Sequence, residues 1–145
     1  LLDHLGPIVS LPGHAYHVFY RLGSNSRKAD KNSFSRVYED SVNNADMAAE
    51  LVEGNYPGLR EVAFRFGIFQ RLEYMLHIPV AQMCRENDFY RKTVKYLRKN
   101  WIRAMRNPIL TGKNKRYHTL FAAAPKTVRR IHGILMMAKT TVQKR

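Results

Sequence analysis

The sequence predicts a mainly α chain, a bundle of about five helices preceded by a short β segment. Three observations predict it. Apolar residues from Phe34 onward recur every three or four positions, the spacing that stacks side chains on one face of a helix. Residues 6–23, "GPIVSLPGHAYHVFYRLG", instead set Val, Ile, Tyr and Phe between Gly-Pro and Pro-Gly punctuation, which reads as extended chain. A length of 145 residues is enough for one ordinary domain with a real core.

Taken in order, "PIVSLP" and "AYHVFYRL" are two short strands, and residues 24–33, with no apolar side chain larger than Ala29, form an exposed loop. A domain boundary is expected there, between 1–32 and 33–145. Ser33 is placed to cap a first helix whose inner face is Phe34, Tyr38, Val42, Ala45, Ala49 and Val52, broken by "EGNYPG" at 53–58. Pro57 suits a first helical position, and Leu59, Val62, Phe66, Phe69, Leu72 and Leu76 mark a second, central helix. Ala63, Phe64, Ile68 and Met75 widen its stripe.

His77-Ile78-Pro79 ends that helix, because the residue before a proline is pushed out of the helical region. Asp88 is placed to cap a third helix with an apolar seam of Tyr90, Val94, Leu97, Trp101 and Met105; Lys and Arg cover the remaining faces until Asn107-Pro108. A fourth helix aligns Tyr117, Leu120, Phe121 and Ala124. A fifth, opened by Pro125, aligns Val128, Ile131, Leu135, Ala138 and Val142.

The net charge of +14 is unevenly spread. Residues 1–90 hold 9 Lys/Arg against 11 Asp/Glu, whereas 91–145 hold 16 Lys/Arg and no acid at all. Such a half calls for an anionic neighbour: nucleic acid, anionic lipid, a phosphorylated ligand or an acidic protein face. The single cysteine, Cys84, excludes an internal disulfide and a thiolate cage, so a reducing compartment is expected. The longest purely apolar runs resemble "ILMMA" at 134–138, far below the roughly 20 residues of a spanning helix.

Catalytic motifs are absent from the sequence: no phosphate-cradling Gly loop, nucleophile elbow, HExxH or calcium loop. His14 and His17, three apart on a strand, fall on opposite faces and do not share a metal. Glu39 and Asp40 are neighbours that point in different directions on a helix. Arg21, where a strand meets a Gly/Ser turn, offers fixed donors to a phosphate or carboxylate, with Ser24 and Ser26 adding hydroxyls; pairing with a local carboxylate is the plainer alternative. The basic helices also have two readings. Their cations and aromatics suit a nucleic-acid surface, or a face lying on an anionic bilayer, while the spacing of Trp101 with Leu97 and Met105 marks it as core.

The order of motifs resembles the part of family 2 glycosyltransferases that lies downstream of their catalytic carboxylates. The matching positions are Ile8-Val9, Leu11-Pro12, Tyr16, Tyr20-Arg21 and Gly23-Ser24, then Tyr96-Leu97-Arg98-Lys99-Asn100, Asn107-Pro108 and Pro125. The resemblance implies that residues 1–32 are the C-terminal remnant of a nucleotide-sugar-binding GT-A domain, and that 33–145 are an appended basic helical domain. It implies that the nucleotide-binding strands, the DXD aspartates and the later Glu-Asp pair precede Leu1, so that no catalytic residue lies in this chain and it is inactive alone. Tyr20, Arg21 and Ser24 would then contact the donor diphosphate or the acceptor.

By the same resemblance, the chain binds no cofactor itself, while the intact enzyme uses Mg or Mn. The expected partners are the GT-A domain, a nucleotide-sugar, a glycan or lipid-linked acceptor, an anionic membrane surface and a second copy of the chain. Arg98, Lys99, Arg103, Arg129 and Arg130 are the expected contacts to an anionic surface. Location in the cytoplasm, peripheral to the inner face of the plasma membrane, follows as the expectation. A helical nucleic-acid-binding module and a peripheral membrane module are the alternatives from other classes.

Overall fold

The computed structural model describes residues 34–142. The strands, the loop, the Ser33 cap, the domain boundary and the trio Tyr20, Arg21 and Ser24 lie outside the described residues. Those that are described are mainly α, in six helices: α1 (Val37–Asn55), α2 (Arg60–His77), α3 (Asp88–Lys99), α4 (Trp101–Arg106), α5 (Gly112–Ala123) and α6 (Pro125–Val142). Single 3-10 turns at Pro57–Leu59 and Val80–Gln82 join α1 to α2 and follow α2.

Local signals explain most boundaries. Glu39 and Asp40 in the first turn of α1 suit the positive end of the helix dipole. The helix continues through Gly54 to Asn55, past the expected break at Glu53, and Pro57 opens the 3-10 turn and not α2 itself. Ile78 before Pro79 turns extended (φ −57°, ψ 133°) and stops α2 as expected. The cap of α3 is Asn87, not Asp88: Asn87 Oδ1 accepts the Tyr90 backbone N–H at 3.0 Å. Asp88 occupies the first turn, where it pairs with Arg91 and Lys92. Thr111 caps α5 by accepting the Asn114 N–H.

The third helix differs from expectation in a way that matters. It bends at Asn100 (φ −98°, ψ 13°), which divides it into α3 and α4 and raises the helix count by one. The bend turns α4 so that Ala104 faces the core, fully buried, while Trp101 is 42% exposed. The expected core role of Trp101 is therefore overturned. Its indole Nε1 donates to Thr119 Oγ1 at 3.0 Å on the α5 surface.

In α2 the expected inner face is also displaced. Val62, Phe66 and Phe69 are exposed, and the buried face is Ala63, Phe64, Gly67, Ile68, Arg71, Leu72 and Met75. The small residues at 63 and 67 explain the choice, because they let α1 lie close along this side, where Asp46 also meets Arg71. A side chain bulkier than hydrogen at Gly67 would bring its Cβ within 3.3 Å of Arg71 Nη1.

Helix α1 packs along α2, and α5 touches α2, α3, α4 and α6, so α5 is the central post of the C-terminal half. Ile68, Tyr74, Met75, Ile78, Met83, Leu97, Ala104 and Phe121 meet in one core without measurable exposure. On α5, Phe121 is buried as expected, whereas Leu120 faces solvent. On α6, Val128 packs on the core, but Ile131 and Leu135 of the expected inner face are more than half exposed.

Candidate functional site

Charged side chains line several concave surfaces. The first is a cleft of about 370 Å³ between α1, α2 and the α3–α4 bend. Its floor is Arg71, a guanidinium only 5% exposed. Arg71 Nη2 donates to both Asp46 carboxylate oxygens at 2.8 and 2.7 Å, and Nη1 donates to the Gly67 carbonyl at 3.2 Å. The guanidinium also lies over the Tyr96 ring, 3.6 Å from its centroid. Burial pushes the Tyr96 phenol pKa up against the opposing pull of Arg71. An arginine whose two Nη groups hold a carboxylate and a carbonyl and whose face lies on a ring, with only Nε left without a hydrogen-bond partner, acts as a packing centre between three helices.

The second surface is a groove of about 760 Å³ along the outer face of α3, closed at one end by Pro125 at the start of α6. Arg91, Lys95, Arg98 and Lys99 line it, spaced so that successive turns of one helix present cations to the same side. The one acid there, Asp88, is held below the usual carboxylate range by hydrogen bonds from Lys92 and Arg91. Arg98 also fixes the corner between α5 and α6, since its Nε donates to the Ala122 carbonyl at 2.8 Å while the side chain stays exposed. The groove thus presents a row of cations along one side of α3.

The five expected anion contacts disperse. Arg98 and Lys99 meet in the α3 groove. Arg103 lines a neighbouring pocket together with Lys99 and Arg106, pairs with Glu61 at 3.0 Å and covers the Phe64 ring at 4.1 Å. Arg129 points inward and donates from Nε to the Ile78 carbonyl at 2.9 Å, tying α6 to the end of α2. Arg130 is exposed on α6.

Besides Arg71 and Thr93, two more polar residues that periodicity passed over are buried. Asn107 is 1% exposed and makes four hydrogen bonds. Its Nδ2 donates to the Glu61 carbonyl and to Glu61 Oε2, and its Oδ1 accepts from the Ile109 and Leu110 N–H groups. The other is His118, fully buried on α5, whose Nε2 lies 2.7 Å from the Leu97 carbonyl. A carbonyl only accepts, so Nε2 carries the proton, and burial pushes the imidazole pKa down, against the pull of that hydrogen bond.

Among the described residues no three or more His, Cys, Asp or Glu side chains converge as a metal site, and no helix is long and apolar enough to cross a membrane. No protein-family model, no curated protein and no solved structure matches this chain.

Proposed function

We propose that this chain is the C-terminal portion of a glycosyltransferase similar to family 2, an enzyme that moves a sugar from a nucleotide-sugar donor to a glycan or lipid-linked acceptor, with the chemistry performed outside these 145 residues. The observation that carries the reading is the ordered series of motifs from Ile8 to Pro125. Its later positions have structural work in the helical body. Tyr96 lies under Arg71, Asn100 sits at the α3–α4 bend, Asn107 latches the turn after α4, and Pro125 opens α6.

The Mg or Mn of such an enzyme is proposed to be held by residues outside the described helices. The sequence has no DXD, and the described residues have no convergent acidic or histidine cluster. No step through Mg or Mn is assigned to it. Tyr20, Arg21 and Ser24 remain the residues proposed to face the donor diphosphate or acceptor, by guanidinium and hydroxyl hydrogen bonds.

The sequence encoded immediately upstream of Leu1 tests the reading. Alternating strands and helices bearing a DXD and a later Glu-Asp pair are expected; an unrelated upstream sequence, or UDP-sugar turnover by the 145 residues with manganese, overturns it.

A further inference from the structure

We propose that the helical body docks on an anionic phospholipid bilayer through two adjoining features, the cationic groove of α3 and the apolar flank of α6. The inference uses only the described helices and does not rest on the glycosyltransferase reading.

The first feature supplies charge. Arg91, Lys95, Arg98 and Lys99 line one groove, in a half of the chain with 16 cations and no acids. The second supplies apolar contact. Helix α6 begins at the rim of that groove with Pro125. Its first turns are held by Val128 in the core, by Arg129 on the Ile78 carbonyl and by the edge of His132 against Tyr117. Beyond them Ile131, Ile134 and Leu135 are 53%, 67% and 56% exposed. These lie at i, i+3 and i+4 on one side of the helix, and Arg130, one turn before Ile134, borders that side with Lys126 a turn further back. An exposed Ile/Leu flank bordered by cations lies in a membrane interface, with its apolar side chains in the acyl boundary and the long basic side chains reaching up to the headgroups.

Charge decides among occupants. A second copy joined by a two-fold axis through α6 would bring the same cationic segments together, which repels. Nucleic acid would satisfy the groove but leave the Ile/Leu flank in water. A single strand would also need aromatic faces for stacking, whereas Tyr90, Tyr96 and Tyr117 are packed on the core and the exposed Trp101 is tied by its indole N–H to Thr119. An anionic bilayer satisfies both features, phosphates against the cations and acyl chains against the flank.

The test is flotation of the full 145-residue chain with phosphatidylcholine vesicles containing or lacking about a third phosphatidylglycerol. Recovery with anionic vesicles and not with neutral ones is expected. Lys95→Glu/Lys99→Glu reverses two exposed cations and should weaken partitioning at least ~10-fold, given the contribution of each basic residue near a charged surface. Ile134→Glu, at a position two-thirds exposed in the folded body, should abolish the binding that survives 0.5 M salt while leaving the helical circular dichroism unchanged. Equal recovery on neutral vesicles overturns the proposal, as does anionic binding untouched by Ile134→Glu. So does affinity for a labelled 20-mer duplex that exceeds vesicle binding and is insensitive to Ile134→Glu. None of these outcomes bears on the sequence upstream of Leu1.

Discussion

At the scale of single residues, the buried Arg71 and His118 define what the body tolerates. Asp46 is the counter-charge of Arg71, and removing it leaves a guanidinium 5% exposed with one carbonyl and a ring for company. Because Asp46 itself is half exposed, Asp46→Ala should cost about 2–3 kcal/mol, somewhat under the ~3–5 kcal/mol of a fully buried pair, read as a drop in the urea midpoint. His118 gives a pH signature. Its folded pKa lies below the unfolded value of about 6.5, so below that pH the unfolded chain takes up a proton that the native chain refuses. Stability should therefore fall as pH drops through about 6.5, and level off below the depressed folded value. Thermal melts between pH 7.5 and 5 on the wild type and His118→Gln check this. The variant, whose amide can still donate to the Leu97 carbonyl, should lose that part of the slope; identical slopes would remove His118 from the account.

At the scale of elements, the informative comparison is between the two sides of α2. Ile68→Ala removes a fully buried side chain and should cost about 2–4 kcal/mol, while Phe66→Ser on the open side should stay within about 0.5 kcal/mol. Equal losses would mean that the helix sits in the other register. The existence of the helices was legible in the spacing of apolar residues, and their ends were legible to within a few residues from Pro57, Pro79, Asn107-Pro108 and Pro125. The buried side of α2 was not, because both of its faces are apolar. The clue that separates them lies in Ala63 and Gly67, residues whose small size signals close helix approach and not hydrophobicity. Trp101 misled for a related reason. Its spacing continues the α3 seam, but periodicity assumes a straight axis and the bend at Asn100 breaks it. Of the candidate anion contacts, sequence could count cations yet could not see that Arg103 and Arg129 are spent on Glu61 and Ile78.

For the whole molecule, charge is distributed by element. Helix α1 carries Glu39, Asp40, Asp46, Glu50 and Glu53 and no Lys or Arg, whereas every cation from Arg91 onward is without an acid in its own segment. Self-repulsion in that segment destabilises the compact state, and salt screens it over roughly 10 Å at 0.1 M. Melting temperature should accordingly rise by several degrees between 0.02 and 0.3 M sodium chloride, as measured by circular dichroism. A fall would mean that the ion pairs to Asp46, Glu61 and Asp88 outweigh the repulsion.

Asn107 has a further consequence, concerning how the molecule ages. Its side-chain amide both donates to Glu61 and accepts two backbone N–H groups, a combination that a carboxylate cannot reproduce. Hydrolysis of that amide to aspartate would put a second negative oxygen beside Glu61 Oε2, where the amide nitrogen now sits at 2.6 Å. The usual route to that damage runs through attack of the next residue's backbone nitrogen on the side-chain carbonyl, closing a succinimide ring. The next residue is Pro108, whose nitrogen carries no hydrogen to surrender. The proline that ends α4 thus also protects the neighbouring amide from the chemistry that would undo its latch.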